Sequence, residues 1–567
     1  MRLIHFCLAL PIILLGAQKP QRSAAAPSGP VVHLAGGALQ GWMQGDIAVF
    51  EGLPFAKPPV GDLRWRPPQP ADAWTGVRDA TRPSHPCMQR LSGTDSFFAP
   101  LAAAYGVDFA IYTLEPSEDC LYLNVWTPQL PTGANQLPAG LKLPVMVWIH
   151  GGSNRVGVGA DYDGSSLAAH GVIVVTFNYR LGAMGFFAHP ELTAESAHHS
   201  SGNYGLLDQL AALQWVQGNI AQFGGDAANV TIFGESAGSV DATTLMISPL
   251  AKNLFQRVIA ESGVAFGLEP ERNVAYMEPL GVAVGREAGT APGAQLEALR
   301  KLPATQITQI EDRLIASQFP GYNPNASVVD GWVLAQSPAK AFASGAIQPV
   351  DLLVGLNARE FSAFRVVAEA ATAKSSPPPK KPGVSNQLKL FADLARPLYG
   401  SWTDVTVATY MARILLHGTL AVDQASNDIL GACPVGAEAA LTTNAGRRAF
   451  VYRFDRSVPG QGESNLGAFH SLEIPYVFGT FTDRVWKWLP VTETDHKLSR
   501  LMQTYWTNFA KSGDPNGAGV PQWAAWTSDQ ESYLVFGEAG DAVTQRNFSP
   551  IYCHLSVERL KTQLANY

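Results

Sequence analysis

The sequence predicts an α/β fold built around a mostly parallel sheet, and three observations carry that expectation. Apolar runs at Leu143–Ile149 and 172–177 are continuous, as strands covered on both faces require. A segment with helical spacing at 205–223 follows them, and strands alternating with helices build parallel sheets. The third is Thr231-Ile-Phe-Gly-Glu-Ser-Ala-Gly-Ser239. There an apolar strand (230–233) gives way to a helix (237–246) through a Gly-x-Ser-x-Gly turn, the setting of an exposed nucleophile.

In chain order, Met1-Arg2 and the apolar stretch 3–15 read as a secretory signal, followed by small residues at Gly16-Ala17 and Ala24-Ala25-Ala26. Residues 1–26 are assigned to it, with the cleavage point open. The stretch is short for a bilayer span, and no later segment approaches one. Residues 31–75 suggest short strands and turns punctuated by Gly36-Gly37, Gly41 and Gly45, running into a proline-rich extended segment at 50–68. Further strands are expected at 257–260, 352–356 and 450–454. Thr372-Ala-Lys-Ser-Ser-Pro-Pro-Pro-Lys-Lys-Pro-Gly383 reads as a surface loop. Apolar periodicity resumes beyond it, so it is taken as an insertion in one domain covering 27–567. There are no internal repeats.

Of 567 residues, 46% are hydrophobic and 15% charged, enough for a large core. A net charge of -7, with lysine and arginine scattered, gives no basic face and excludes nucleic acid as a partner. Outside the signal lie Cys87, Cys120, Cys433 and Cys553. An even count in an exported chain suggests two disulfides in one of three pairings, and nearest-neighbour pairing joins Cys87 to Cys120 and Cys433 to Cys553. His198-His199 are adjacent and point apart, so they read as loop residues, and no metal site is expected.

Glycines on both sides of Ser236 allow a strained turn without a side-chain clash. The hydroxyl then stands at a helix N-terminus, whose partial positive charge favours a developing oxyanion. Alone, the pentapeptide is a weak signal and an ordinary Gly/Ser turn is the plainer reading; the strand–turn–helix setting favours a nucleophile.

Many further segments, in order, resemble the type-B carboxylesterase/lipase (cholinesterase-like) family of α/β-hydrolases: Phe50-Glu-Gly-Leu-Pro-Phe55, Ser117-Glu-Asp-Cys-Leu-Tyr-Leu-Asn-Val-Trp126, Trp148-Ile-His-Gly-Gly152, Asn178-Tyr-Arg-Leu-Gly182, Gly202-Asn-Tyr-Gly-Leu-Leu-Asp-Gln209, Phe223-Gly-Gly-Asp226, Glu261-Ser-Gly263, Asn357-Ala-Arg-Glu360 and His470-Ser-Leu-Glu-Ile-Pro-Tyr-Val-Phe-Gly479. The resemblance implies a twisted, mostly parallel sheet with helices on both faces and large insertions. It also implies a serine ester hydrolase working without metal or organic cofactor.

A serine hydroxyl needs a base near neutrality, so histidine is expected. Twelve histidines are present, and the resemblance singles out His470. A carboxylate should orient the imidazole, and the resemblance implies Glu360, in the order Ser, acid, His. Arg359 and Phe361 depart from the family, which usually has an acidic residue before this glutamate and a glycine after it. Arg359 itself suits a carboxylate partner, and Asp330 and Glu369 are the other candidate acids. Ser262 matches a family serine near the acid. For the oxyanion, the resemblance implies the N–H groups of Gly152, Ser153 and Ala237. Ser153 replaces a usual glycine or alanine and tightens the pocket. His150 reads as structural.

A Cys87–Cys120 loop would carry the apolar stretch 97–112 over the site, as a gorge wall favouring hydrophobic esters or as ordinary core packing. That stretch lacks the tryptophan with which cholinesterases hold choline, which disfavours a choline ester. Phe364 resembles an acyl-pocket aromatic, and Phe266 is placed in the same region. The expected protein is a secreted or periplasmic serine esterase acting on small, hydrophobic esters without stable membrane insertion. A non-catalytic adhesion or binding relative is the main alternative from another class, and a peptidase a weaker one.

Overall fold

The computed structural model describes residues 29–90, 96–111, 114–131, 138, 140–265, 272–319, 323–373, 389, 392, 408, 410, 419–550 and 553. Within them, one large sheet contains β1 (Trp42–Gln44), β2 (Ile47–Pro54), β3 (Tyr122–Thr127), β4 (Leu143–Ile149), β5 (Ile173–Phe177), β6 (Gly225–Glu235), β7 (Arg257–Glu261), β8 (Asp351–Asn357), β9 (Ala449–Phe454), β10 (Tyr533–Phe536) and β11 (Ala542–Gln545). Their order across the sheet is β11-β10-β9-β8-β7-β6-β4-β5-β3-β2-β1. From β5 across to β10 neighbours run parallel, and both margins are antiparallel. A small separate sheet joins Val31–Leu34, Gly37–Gln40 and Val77–Asp79.

The continuous apolar strands sort their side chains by alternation. Val145, Val147 and Ile149 of β4 enter one core with Ile232, Val258, Val354 and Val451, against Leu206 and Leu213 of helix α1 (Tyr204–Asn219). Met146 and Trp148 enter the other with Phe233, Ile259, Leu353 and Phe450, against Met502, Tyr505 and Trp506 of a long helix, Glu493–Ser512. Both faces are therefore covered, and a continuous run is what such a strand needs.

Predicted and observed elements agree closely, and the differences have local causes. The strand expected at 230–233 spans Gly225–Glu235, so it ends immediately before the serine. The helix expected over 205–223 tightens to a 3₁₀ turn at Ile220–Phe223 and stops at Gly224, whose φ of 88° is left-handed. Thr372 and Ala373, expected in a loop, instead end the helix Glu360–Ala373; residues 374–383 lie outside the described residues. So does the signal segment 1–26. Disulfides join Cys87 to Cys120 and Cys433 to Cys553, with Cα separations of 4.9 and 5.0 Å. Among the described residues no helix is long and apolar enough to cross a membrane.

The sheet order also fixes where a site forms. The chain leaves β4 to lay β5 on one side, then returns to lay β6 on the other. At such a switch the connections after the two strands diverge and leave a crevice beyond their carboxyl ends. The connections after β4 and β6 are the His-Gly-Gly loop and the Gly-x-Ser-x-Gly turn.

Candidate active site

Strand β6 delivers Ser236 to the start of helix α2 (Ala237–Leu245) with φ 54° and ψ −123°. A non-glycine residue in that region costs about 1–3 kcal/mol and persists only where its surroundings over-determine it. Here the Ser236 N–H donates to the Glu261 carbonyl of β7 at 2.9 Å, extending the sheet past the turn. The serine itself takes the positive φ, and the flanking glycines avoid the side-chain clash as expected. The glycines permit close approach. A Cβ on Gly238 would lie 1.9 Å from the Ile149 carbonyl oxygen, and one on Gly234 would lie 2.6 Å from Gly238.

The loop after β4 turns through three successive left-handed residues, Gly152 (φ 97°), Ser153 (57°) and Asn154 (54°). It lies against the turn, since a Cβ on Gly151 would come within 2.7 Å of Glu235 Oε2 and 3.1 Å of Ser236 Cβ. Gly152, Ser153, Ser236 and His470 line one cavity of about 220 Å³. His150 is buried, stacks on Tyr179 at 4.4 Å, and is pushed down to about 4 by burial, so it stays neutral.

His470 follows β9, and Glu360 opens helix α3 (Glu360–Ala373) after β8. His470 Nδ1 lies 2.6 Å from Glu360 Oε2. Glu360 is itself held: its Oε1 accepts from the Asn357 N–H at 2.6 Å, and its own N–H donates to Asn427 Oδ1 at 2.8 Å. The other fallback acids are occupied elsewhere. Asp330 Oδ1 accepts three backbone N–H groups from Trp332, Val333 and Leu334, while Glu369 sits half-exposed beside Arg365. Arg359 donates to the carbonyls of Ser464 and Asn465, not to a carboxylate.

Two further buried glutamates act on the imidazole, only Glu235 in direct contact. Glu235 Oε1 lies 3.2 Å from His470 Nε2 and accepts from the Ser471 hydroxyl at 2.5 Å. Glu473 accepts from Ser262 Oγ at 2.8 Å and from the Asn357 amide. Ser262 thus reaches Glu473, not Glu360. Burial raises Glu235, and burial together with Glu235 and Glu360 pushes Glu473 up to about 8. For His470, burial works downward, but Glu235 and Glu360 outweigh it and carry it up to about 9. These shifts are linked, because each proton taken by Glu235 weakens the pull on the imidazole.

Aromatic rings wall the cavity. Phe364 stands 4.9 Å from the His470 ring and Phe97 6.3 Å, edge-on; Phe98 meets Trp486 at 4.8 Å. Phe266 lies outside the described residues. Sequence reasoning missed Glu235 and Trp486. Glu235 is two residues from Phe233 along β6, hence on the same face of the strand, and the segment around His470 packs on that face with Phe469 and Leu472. Trp486 supplies an indole to the cavity from outside the disulfide loop.

Residues 28–551 match the model of the carboxylesterase family. The chain belongs to the carboxylesterase family. A fumonisin B1 esterase of Sphingopyxis macrogoltabida is 38% identical over 505 residues, covering 87% of this chain and 84% of that protein. Liver carboxylesterase 1 of Oryctolagus cuniculus is 36% identical over 540 residues, covering 89% and 88%. Among solved structures, the Geobacillus stearothermophilus carboxylesterase EST55 superposes with a TM-score of 0.75 at 31% identity, over 93% of this chain and 99% of its own. This carboxylesterase therefore has the α/β-hydrolase fold and is a carboxylic ester hydrolase.

Proposed function

We propose that this carboxylesterase cleaves its esters through an acyl-enzyme on Ser236. His470 takes the hydroxyl proton as Ser236 attacks the ester carbonyl, and Glu360 holds the imidazole and stabilises its cation. The N–H groups of Gly152, Ser153 and Ala237 receive the oxyanion. His470 then protonates the departing alcohol, and water repeats the cycle on the acyl-enzyme. The observation that carries this reading is the 2.6 Å contact between His470 and Glu360 beside a cavity that His470 shares with Ser236.

The cavity lining supports a substrate class. The wall is largely apolar, with aromatic side chains from Phe97, Phe98, Tyr162, Phe364 and Trp486, and its acidic groups are Glu235 and Asp161, the latter paired with Arg484. No lysine or arginine is among the described lining residues. Uncharged, hydrophobic esters fit this lining better than anionic ones. Residues 1–26 would export a single catalytic domain, 27–567, to a compartment where both disulfides persist.

A short-chain p-nitrophenyl ester tests the chemistry. The wild-type chain is expected to turn it over with a burst of phenolate, and Ser236→Ala to lose both burst and turnover. A folded wild-type chain with no turnover on any ester of a panel would instead favour the binding-protein alternative.

A further inference from the structure

The donor loop is held in place by a residue that none of the chemistry above uses. Asn154 lies immediately after Ser153 and is buried. Its left-handed φ of 54° makes the third in a row, a conformation that neighbours must enforce. Its carboxamide has partners on every side. Nδ2 donates to Asp241 Oδ1 at 3.2 Å and to the Asn325 carbonyl at 3.1 Å. Oδ1 accepts from the Tyr179 hydroxyl at 2.9 Å, which also leans 2.8 Å toward the His150 carbonyl. The Asn154 carbonyl accepts from the Gly182 N–H at 2.7 Å.

Asp241 is the partner that matters, because it sits on α2, the helix that starts at the nucleophile. It is buried, and its second oxygen accepts from Gln209 at 2.6 Å. A side chain of the donor loop is thereby tied to the helix that aims Ser236. The far end of the loop is fixed separately: the Gln89 amide donates to the Gly157 carbonyl at 2.8 Å and accepts from the Gly157 N–H at 2.9 Å. Cutting the Asn154 tie should therefore free the donor end and leave the remainder anchored.

We propose that Asn154 is the positioning residue of the donor loop, its buried carboxamide holding Gly152 and Ser153 against the nucleophile helix through Asp241. This rests on Gly152 and Ser153 being the oxyanion donors. Losing one donor outright costs roughly 100- to 1,000-fold in rate, so a donor loop set adrift should cost less.

The test expresses kcat per active site titrated with a phosphonate, so that misfolded chains do not count. Asn154→Gly keeps the left-handed backbone and removes the ties. It is expected to lower kcat about 10- to 100-fold with KM within about threefold. The inhibition constant of a trifluoromethyl ketone, whose hemiketal oxygen takes the oxyanion's place, should rise by the factor that kcat/KM falls. Asp241→Leu, made outside the loop, should reproduce this, and Asp241→Asn, which keeps an acceptor for Asn154, should retain most of kcat. The inference is overturned if Asn154→Gly keeps kcat and ketone affinity within twofold, or if the loss lies wholly in the titratable fraction. Equal kcat for Asp241→Leu and Asp241→Asn also overturns it, and that contrast decides alone if Asn154→Gly does not fold. A wild-type chain that resists the phosphonate at Ser236 would sink the acyl-enzyme reading itself, whereas an active wild type indifferent to Asn154 sinks only this inference.

Discussion

The carboxylate of Glu235 approaches Nε2 of His470 to 3.2 Å, while Glu360 holds Nδ1 at 2.6 Å, so the buried imidazole has a carboxylate at each nitrogen. Glu235, the residue before Ser236, is therefore an electrostatic neighbour of His470, the base proposed above. When Glu235 is ionised, its charge beside Nε2 favours the imidazolium of the proposed attack.

That pairing has a definite sign. Glu235 raises the His470 pKa, so Glu235→Gln is expected to lower it and make the neutral base available in more acidic solution. The acid limb of the kcat/KM profile should move toward lower pH. A limb that stays put or moves upward would mean that the Glu235 charge is not felt at the imidazole.

Glu360→Gln removes the carboxylate at Nδ1 while keeping its size. A drop in kcat of roughly 10³- to 10⁴-fold is expected, with KM little changed. Steady-state kinetics on a phenyl ester checks it; near wild-type turnover would mean that Glu360 does not support the base.

Two glycines on successive helices should respond oppositely to alanine. Gly238→Ala drives a methyl into the Ile149 carbonyl and should cost about 1–3 kcal/mol or more, together with activity, as α2 is pushed off β4. Gly218 lies exposed in α1, and a methyl added there would have nothing within 4 Å. Gly218→Ala should stabilise by about 0.4–1 kcal/mol at unchanged activity. Urea midpoints of the two variants decide it, and equal shifts would contradict the packing argument.

Phe364 is 43% exposed yet packs on His470. If it grips an apolar substrate group, Phe364→Ala should raise KM for bulky hydrophobic esters about five- to tenfold, roughly 1 kcal/mol of lost burial. Acetyl esters should be little affected. An equal change across the panel would assign the ring to the histidine alone. The same esters taken past their solubility limit test for a lipase: unchanged activity there removes interfacial activation by the disulfide loop.

Much of this was legible in the chain. Continuous apolar runs predicted the buried strands because a strand covered on both faces has no polar side to show. Gly234, Gly238 and the apolar strand expected at 230–233 predicted a turn at Ser236, since both signals are local. The nearest-neighbour disulfides were legible too. The proposed acid and base came from resemblance, because nothing in composition or spacing distinguishes Glu360 or His470 from other residues of their kind.

What the sequence alone determined was the order of strands and helices and the chemical kinds of group at their ends, because backbone periodicity and turn preference act over a few residues. Only the tertiary structure decided which of those groups meet. Asn154 finds Asp241 87 positions away and Ser262 finds Glu473 211 positions away, pairings set by the way loops beyond the carboxyl ends of β4, β6, β7 and β9 pack in three dimensions. Buried polar groups must find partners wherever the fold brings them, and that requirement is satisfied through space, not along the chain.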